Sequence, residues 1–302
     1  MKRRMTPRPP RRSDGASLRI QRAAAKQRSA PSEGLLYEPG YLTREMRRDL
    51  CAWLATIHPI WEQRFSPHHP PPPGQEQRWL LRPVYWLGNW QFACLGYYHP
   101  PKGIHGRAVQ AEAFPPVLAR MARQMEAKTR KLCDPRDIPH GWSLNTCLIN
   151  FYGERIDSAG KRHDTARVGE HKDFEPGPVA SISLGDRALF QFVSSSRPGA
   201  RDAIEWQQWL EDGSLQIFAG PRWKERLFHR VQRVEDKRDE RFDLHLTDFD
   251  TRRINLTFRY VPEEHVVPYA RLSQADADDV RGYMETLSRH APFFAEALRA
   301  RT

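Results

Sequence analysis

The chain has 302 residues, of which 39% are hydrophobic, so it is long enough for one large domain with an extended tail or for two small domains. Its formal net charge is +11, and residues 1–30 supply +9 of that excess through ten Lys and Arg and a single Asp. This balance favours polyanionic partners. No run of about 18 apolar residues is present, so no segment is expected to span a membrane. No apolar segment follows the first basic residues, which argues against a secretory signal.

The first part of the chain predicts a tail, a helix, a spacer and strands, in that order. Residues 1–34 lack periodic apolar residues and predict a basic disordered tail, whereas 35–302 are expected to form a single domain. A helix is predicted over 43–57, where apolar residues recur at spacings of three and four. A proline-rich spacer follows at 66–74, and the aromatic-rich residues 78–98 favour strands and turns.

A second predicted helix, over 116–132, leads into a half of the chain that is rich in β-strand patterns. Short apolar runs with period two, separated by glycines, predict strands over 144–151, 179–184, 187–193, 214–218 and 253–260. Several short strands with few helices favour an all-β sandwich or barrel core. A helix is expected again over 273–299, where Ser273 and Asp276 form an N-terminal capping signature. The predicted fold class is therefore α+β with a mainly β core and flanking helices.

The four cysteines are scattered through the chain and form no Cys-x-x-Cys pair. This spacing argues against a zinc knuckle and against a disulfide framework. A reduced, cytoplasmic compartment is the expected location, because free thiols persist there.

The sequence contains one His-x-Asp motif, His171-Lys172-Asp173. On an extended strand, residues two apart point to the same face, so both side chains can bind one metal ion. His229, which follows a predicted strand and a Gly-Pro turn, is the candidate third ligand. Two histidines and one carboxylate form the metal site of non-haem Fe(II) oxygenases. The competing interpretation is a loop histidine beside a solvated aspartate, with His229 as a surface histidine in a basic run.

Arginines on the last predicted strand support the metal interpretation. In that strand, Arg253, Asn255, Thr257 and Arg259 share one face, and the apolar residues between them share the other. Two inward arginines require an anionic ligand, because burying an unpaired charge is costly. Arginine binds carboxylates in a bidentate manner. A dicarboxylate such as 2-oxoglutarate meets this requirement and can chelate iron while leaving one position for O2.

Residues 79–260 resemble the AlkB family of Fe(II)/2-oxoglutarate-dependent nucleic-acid dealkylases. The motifs that carry the resemblance occur in order: the strand 145–152, the His-x-Asp at 171–173, the core strands 179–185 and 188–192, His229, and Arg253-x-Asn-Leu-Thr-Phe-Arg259. The resemblance implies a double-stranded β-helix, or jelly roll. It places the catalytic core at 144–262 and a nucleotide-recognition lid at 78–110.

The resemblance also implies roles for single residues. His171, Asp173 and His229 correspond to the metal triad, and Asn150 and Tyr152 to contacts of 2-oxoglutarate. Arg253, Asn255 and Arg259 are expected at the same co-substrate. We place Arg253 on its far carboxylate and Arg259 nearer the metal. The implied reaction uses Fe(II), 2-oxoglutarate and O2 to oxidise an N-methyl group of a base such as 1-methyladenine or 3-methylcytosine in DNA or RNA. Formaldehyde, succinate and CO2 are the products, and a monomer is expected.

Three further residues correspond to the substrate contacts of the family. Trp90 and Tyr97 have the spacing of a tryptophan that stacks on the damaged base and a tyrosine that reaches the phosphate. Without the resemblance, Trp90 fits a core residue. Glu175 stands two residues after Asp173, where the family often has an acid that touches the base. Its alternative is an exposed turn glutamate beside Pro176.

Three alternatives remain open at this point. An oxygenase of the same fold acting on protein or a small molecule is the first. A zinc hydrolase is the second, although no His-Glu-x-x-His occurs and the arginine strand would lack a purpose. A non-catalytic nucleic-acid-binding module is the third, and it predicts lost metal ligands. The long polar segments 153–170 and 232–251 depart from the family pattern, so its substrate range cannot be carried over.

Overall fold

The structure is a computed structural model that describes residues 34–97, 106–194, 204–232 and 241–301. The predicted tail lies outside these ranges except for Gly34. Part of the predicted lid, residues 98–105, and part of the charged segment before the last strand, residues 233–240, also lie outside them.

A seven-stranded antiparallel sheet carries most of the core. Its strands are β1 (Leu35–Glu38), β2 (Val84–Leu87), β5 (Thr146–Ile156), β6 (Arg162–Asp164), β8 (Val179–Gly185), β11 (Ser214–Phe218) and β13 (Phe249–Arg259). Their order is β1-β11-β8-β13-β5-β2, with β6 paired to β5. The two longest strands, β5 and β13, lie side by side at the centre of the sheet, and they extend beyond the predicted 144–151 and 253–260.

A four-stranded sheet supplies the opposite wall of the site. It has the order β10-β9-β12-β7, and its strands are β7 (Val168–His171), β9 (Ala188–Val193), β10 (Ile204–Leu210) and β12 (Phe228–Gln232). A small third sheet joins β3 (Asn89–Trp90), β4 (Ala108–Gln110) and β14 (Val266–Val267). The two larger antiparallel sheets confirm the predicted mainly β core and form the jelly roll.

Four α-helices flank the sheets in the described part of the chain: α1 (Arg44–Leu54), α2 (Pro116–Leu132), α3 (Gln274–Ser288) and α4 (Pro292–Arg299). The predicted bounds of α2 are confirmed. The hydroxyl oxygens of Thr43 and Ser273 accept backbone hydrogen bonds as N-caps. None of the described helices is apolar enough over a sufficient length to cross a membrane.

The single helix predicted over 273–299 is wrong, because two helices occupy that stretch. Pro292 is the first residue of α4, and Ala291 before it is extended, with φ −131° and ψ 120°. Proline disfavours the helical conformation of the residue that precedes it. The chain therefore leaves α3 at Ser288 and starts again at Pro292.

The alternation of residues on β13 separates the hydrophobic core from the site. Ile254, Leu256 and Phe258 are fully buried in the large apolar cluster beneath the helices. Arg253, Asn255 and the other residues of opposite parity face the strands' second side, opposite Tyr152 and Asn150 of β5 and Gly185 and Ser183 of β8. One face of this sheet is thus apolar and the other polar, as the sequence pattern predicts.

Candidate metal and co-substrate site

The three predicted metal ligands come together at one end of the space between the two larger sheets. His171 is the last residue of β7 and pairs directly with His229 of β12. The three ligand atoms, one each from His171, Asp173 and His229, all lie within 4.8 Å of one another. Asp173 lies beyond the end of β7 rather than on the strand. The expectation that an extended strand carries both members of the His-x-Asp motif is thus corrected for Asp173.

The environment keeps both imidazoles neutral and able to bind a metal. A hydrogen bond of 2.8 Å joins His171 Nδ1 to the carbonyl oxygen of Gly169. The nitrogen is the donor because a carbonyl only accepts, so Nε2 keeps its lone pair for a metal. The His229 ring is buried and stacks on Phe190, with 5.5 Å between the ring centroids. Burial lowers the pKa of both histidines, and the neighbouring His171 lowers the pKa of His229 further.

Asp173 is an ionised carboxylate with one oxygen in use and one without a partner. Burial opposes its ionisation, but Arg259 and then His229 hold its pKa well below the usual range. Arg259 donates two hydrogen bonds, of 3.0 and 2.7 Å, to Oδ1. The buried Oδ2 has no hydrogen-bond partner and lies 3.6 Å from His229 Nε2.

The donor set fits Fe(II). A buried carboxylate oxygen without a partner is rare in proteins, and a metal ion would satisfy it. Two neutral imidazole nitrogens and one carboxylate oxygen, all from one end of the jelly roll, are the ligands of the two-histidine, one-carboxylate iron site.

Arg253 and Arg259 both lie on the polar face of β13, as predicted, but their surroundings differ. Arg253 is buried, and its Nη2 donates to Ser183 Oγ at 3.0 Å and to Asn255 Oδ1 at 2.9 Å. Its guanidinium carbon lies 4.8 Å from the centroid of the Tyr152 ring. Its Nε has no partner, and no carboxylate lies within ion-pair distance of Arg253 among the described residues.

Arg82 is a site residue that the sequence analysis missed. Its Nε donates to Asn150 Oδ1 at 2.7 Å, and its guanidinium carbon lies 5.0 Å from the centroid of the Tyr152 ring. The alternation of side chains along a strand could have indicated it. Val84 of β2 pairs with Asn150, and Arg82 stands two residues before Val84, on the same face. It would therefore fall opposite Tyr152, at the edge of the same polar face.

Two lysines, also missed, fasten the His-x-Asp segment to the helical turn Pro221–Arg226. The half-buried Lys224 donates from Nζ to the carbonyl oxygen of Asp173 at 2.9 Å. Lys172 Nζ in return donates to the carbonyl oxygen of Glu225. The turn is a π-helix that leads directly into β12, so these bonds tie two of the metal ligands to the strand that holds the third.

The structure places Trp90 in the core, which corrects the expectation of an open stacking face on the lid. Its ring is completely buried and stacks on Phe92, with 5.0 Å between centroids. Its indole nitrogen donates to Glu62 Oε1 at 2.7 Å. Tyr97 is also buried, edge-on to Trp86 and Phe174 at 5.3 and 5.4 Å. The core interpretation of Trp90 therefore accounts for its contacts.

Glu175 is buried beside the metal triad and is not an exposed turn residue. Only 1% of its surface is exposed, and its Oε2 lies 3.6 Å from Arg259 Nε. Gln91, a further residue missed in the sequence, donates from Nε2 to Glu175 Oε1 at 3.1 Å. Gln91 Oε1 and Glu175 Oε2 have no hydrogen-bond partner. Two acceptors are thus buried without a hydrogen-bond donor. Glu175 is linked to Asp173 through Arg259, which pairs with both carboxylates.

Comparison with known proteins identifies the family. The sequence pattern described as the 2OG-Fe(II) oxygenase superfamily matches residues 34–259. The chain is similar to the structure of OsALKBH1, with 22% identity over 77% of this chain and 100% of that chain and a TM-score of 0.46. It is also similar to YcfD, a ribosomal oxygenase from Escherichia coli in complex with cobalt and succinic acid, with 10% identity, 87% and 66% coverage and a TM-score of 0.32. None of the curated proteins matches the chain.

The family match covers most of the chain and contains the whole metal triad. The cofactors of this superfamily are Fe(II) and 2-oxoglutarate, in agreement with the predicted ones, and the protein is a dioxygenase. The alternatives of a zinc hydrolase and a non-catalytic binding module are thereby set aside. The chain belongs to the 2OG-Fe(II) oxygenase superfamily.

Proposed function

We propose that this oxygenase demethylates N-alkylated bases of the 1-methyladenine and 3-methylcytosine type in DNA or RNA. The products are the repaired base, formaldehyde, succinate and CO2. The AlkB-like motifs support this substrate class, and the +9 charge of residues 1–30 supports a polyanionic partner. The observation that carries the proposal is the buried pair of unpartnered acceptors on Gln91 and Glu175.

These acceptors fit an amino-bearing, positively charged base. The hydrogen bond from Gln91 Nε2 to Glu175 Oε1 turns the amide oxygen of Gln91 away from Glu175. Two acceptors therefore remain without a hydrogen-bond donor, one of them on the carboxylate that lies 3.6 Å from Arg259 Nε. A ligand that brings two donors would satisfy both. 1-Methyladenine and 3-methylcytosine have an exocyclic amino group and a positive charge. A methylated keto base offers carbonyl oxygens at that edge and would be repelled.

The polar face of β13 supports the assignment of the co-substrate site. We assign Arg253 to the far carboxylate of 2-oxoglutarate, because its Nε has no hydrogen-bond partner and no described carboxylate lies within ion-pair distance of it. Arg259 lies nearer the metal, and its Nη1 is buried without a partner while its other nitrogens hold Asp173. Asn150, Tyr152 and Asn255 line the space between them. When bound, Fe(II) and 2-oxoglutarate supply the oxidising chemistry; the protein orients both and keeps the two imidazoles deprotonated.

The test is aerobic turnover on methylated oligonucleotides. The protein, Fe(II), ascorbate and 2-oxoglutarate are mixed with single- and double-stranded DNA and RNA that carry 1-methyladenine, 3-methylcytosine or 3-methylthymine. Mass spectrometry follows loss of the methyl group, and succinate and formaldehyde are quantified. We expect 2-oxoglutarate-dependent demethylation of the two amino-bearing bases that vanishes in His171→Ala. Glu175→Gln should lower the preference for them over 3-methylthymine by about tenfold, the effect of roughly 1.4 kcal/mol of lost discrimination.

A second candidate is an oxygenase of the same fold that hydroxylates protein or a small molecule. The burial of Trp90 and Tyr97 favours it, because neither ring offers a free face for a flipped base in this structure. Succinate formation without loss of methyl from any oligonucleotide would support this candidate and contradict the demethylase.

A further inference from the structure

Arg82 lies where three residues of the proposed co-substrate site meet. Its Nε bonds to the side-chain oxygen of Asn150, and its guanidinium lies over the ring of Tyr152. In the part of the chain that the structure describes, its two terminal nitrogens have no hydrogen-bond partner and no carboxylate is within ion-pair distance. Its charge also bears on His171 and Arg253, since it is among the causes that lower the pKa of each.

Arg82 and Arg253 form a pair of like charges around one aromatic ring. Their guanidinium carbons lie 5.0 and 4.8 Å from the centroid of the Tyr152 ring. Burial lowers the pKa of Arg253, and Arg82 adds to that effect. Arginine does not release its proton in proteins, so the pair cannot relieve its repulsion by deprotonation. An anion between the two guanidinium groups would relieve it.

Asn150 depends on Arg82 for its orientation. A side-chain amide has one accepting oxygen and one donating nitrogen, and the two can exchange places by a flip of the group. The 2.7 Å bond from Arg82 Nε occupies the oxygen. The amide nitrogen is therefore the group that Asn150 offers to the pocket, and a carboxylate oxygen accepts from it. Loss of Arg82 would remove this constraint.

We propose that Arg82 is a further binding residue of the co-substrate site. It shares the far carboxylate of 2-oxoglutarate with Arg253 and holds Asn150 with its amide nitrogen toward the co-substrate. This inference rests on the assignment of Arg253 and Asn150 to 2-oxoglutarate in the proposed function. It adds a guanidinium from the segment before β2, which lies outside the motifs that define the family resemblance. The phosphate of a nucleic acid is the competing anion for the same group.

The experiment measures 2-oxoglutarate binding without turnover. Protein loaded with Mn(II) in the absence of O2 is titrated with 2-oxoglutarate, and binding is followed by intrinsic tryptophan fluorescence. The variants are Arg82→Met, Arg82→Lys and Arg78→Met. Arg78 is an exposed arginine four residues earlier in the same segment, so its variant removes an equal charge from outside the site. Circular dichroism and thermal unfolding establish that each variant is folded.

We expect Arg82→Met to raise the dissociation constant of 2-oxoglutarate by roughly 10- to 100-fold, the range for a lost hydrogen bond to a charged group. Arg82→Lys keeps the charge but loses the bond to Asn150. Its dissociation constant for 2-oxoglutarate should therefore lie between those of the unaltered protein and Arg82→Met. Arg78→Met should bind as the unaltered protein does. In turnover, Arg82→Met should raise KM for 2-oxoglutarate far more than it lowers kcat.

Two results would overturn the inference. In the first, Arg82→Met binds 2-oxoglutarate within twofold of Arg78→Met. In the second, 2-oxoglutarate binding is unchanged but the KM for a methylated oligonucleotide rises and becomes less sensitive to salt, which assigns Arg82 to a phosphate. Failure of the unaltered protein to bind 2-oxoglutarate is a different result, because it contradicts the co-substrate assignment itself. If Arg82→Met does not fold, the comparison of Arg82→Lys with Arg78→Met decides in the same way.

Discussion

The two ends of strand β13 bury arginines under opposite electrostatic conditions. At the metal end, Arg259 holds Asp173 through two hydrogen bonds and lies 3.6 Å from Glu175. The half-buried Lys224 lies near the same two acids and interacts electrostatically with both. Two protein cations thus face two protein carboxylates. At the far end, Arg253 and Arg82 surround Tyr152, and no described carboxylate is within ion-pair distance of either.

This difference distinguishes an arginine that stabilises the fold from an arginine that binds a ligand. A buried charge whose partner is lost is costly, whereas a charge that the protein leaves without a partner creates a demand for a ligand. Arg259 belongs to the first class, because its partners are protein groups that are present before any ligand arrives. Arg253 belongs to the second, because no carboxylate among the described residues lies within ion-pair distance of it. The metal end should therefore be preformed, and the far end should gain stability when 2-oxoglutarate binds.

The largest expected effect follows from removing a metal ligand. His171→Ala should abolish succinate formation and weaken Mn(II) or Fe(II) binding by more than about 100-fold, since even the outer partners of metal ligands are worth 10- to 100-fold. Equilibrium dialysis and a succinate assay measure the two effects. The control is His163→Ala on β6, where the ring is partly exposed and pairs with Asp157. Metal binding retained in His171→Ala would contradict the assigned triad.

The next largest effect should be on folding. Arg259→Met leaves Asp173 and Glu175 buried without their shared cation, so we expect the free energy of unfolding to fall by about 3–5 kcal/mol. Arg259 also holds the pKa of Asp173 well below its usual range. Its stabilising effect is present above the unfolded pKa and is lost as the pH falls through the folded one. Urea unfolding at several pH values should therefore show the two proteins converging in acid.

Arg253→Met applies the same substitution to the arginine that has no described carboxylate as a partner. We expect the dissociation constant of 2-oxoglutarate to rise by roughly 100-fold, or about 3 kcal/mol, because the far carboxylate loses a charge-assisted partner. The unfolding free energy without ligand should change little, because the substitution removes a buried charge that had no acid beside it. Titration calorimetry and urea unfolding measure both. If Arg253→Met destabilises the apo protein as much as Arg259→Met, the distinction between the two ends fails.

The chemistry of the site could be predicted from the sequence because the charged residues of β13 recur with the two-residue period of a strand. Arg253 and Arg259 stand an even number of residues apart on a strand whose residues of the opposite parity, Ile254, Leu256 and Phe258, are apolar. Their place on one face therefore followed from alternation alone. The short strands predicted a mainly β core, and the family resemblance implied that this core is a jelly roll. A buried arginine has few explanations other than a ligand or an acid, which makes the prediction specific.

The lid could not be predicted in this way, because an aromatic residue serves equally well in a core or at a binding face. Trp90 has the spacing of a stacking residue, but its ring packs on Phe92 and its indole nitrogen bonds to Glu62, which is 28 residues away in the sequence. Only the tertiary structure reveals these contacts. Arg82 was missed for a related reason. It stands just outside β2, and only the pairing of that strand with β5 reveals that it lies beside Asn150.

Glu62 offers the most general test of the comparison, because it is a buried carboxyl group with no cation beside it that, unlike an arginine, can be neutralised by a proton. It is 1% exposed and accepts from the Trp90 indole nitrogen and the Ala93 amide, both at 2.7 Å. No described Lys or Arg lies within ion-pair distance of it. Burial raises its pKa from 4.5 to about 7, against the opposing effect of these two hydrogen bonds. Arg253 cannot respond in this way, so it must recruit an anion, whereas Glu62 takes up a proton.

The sign of the pH effect follows from that raised pKa. Between pH 4.5 and about 7 the folded state binds a proton that the unfolded state has lost. The contribution of Glu62 to stability is therefore full below pH 4.5 and has been lost once the pH passes about 7, a change of roughly 3 kcal/mol. Glu62→Gln cannot titrate, so the difference in urea unfolding free energy between it and the unaltered protein should grow steadily in favour of the variant across that window. A difference that stays constant with pH would mean that Glu62 remains ionised in the fold and that burial without a cation does not by itself force a charge to find a partner.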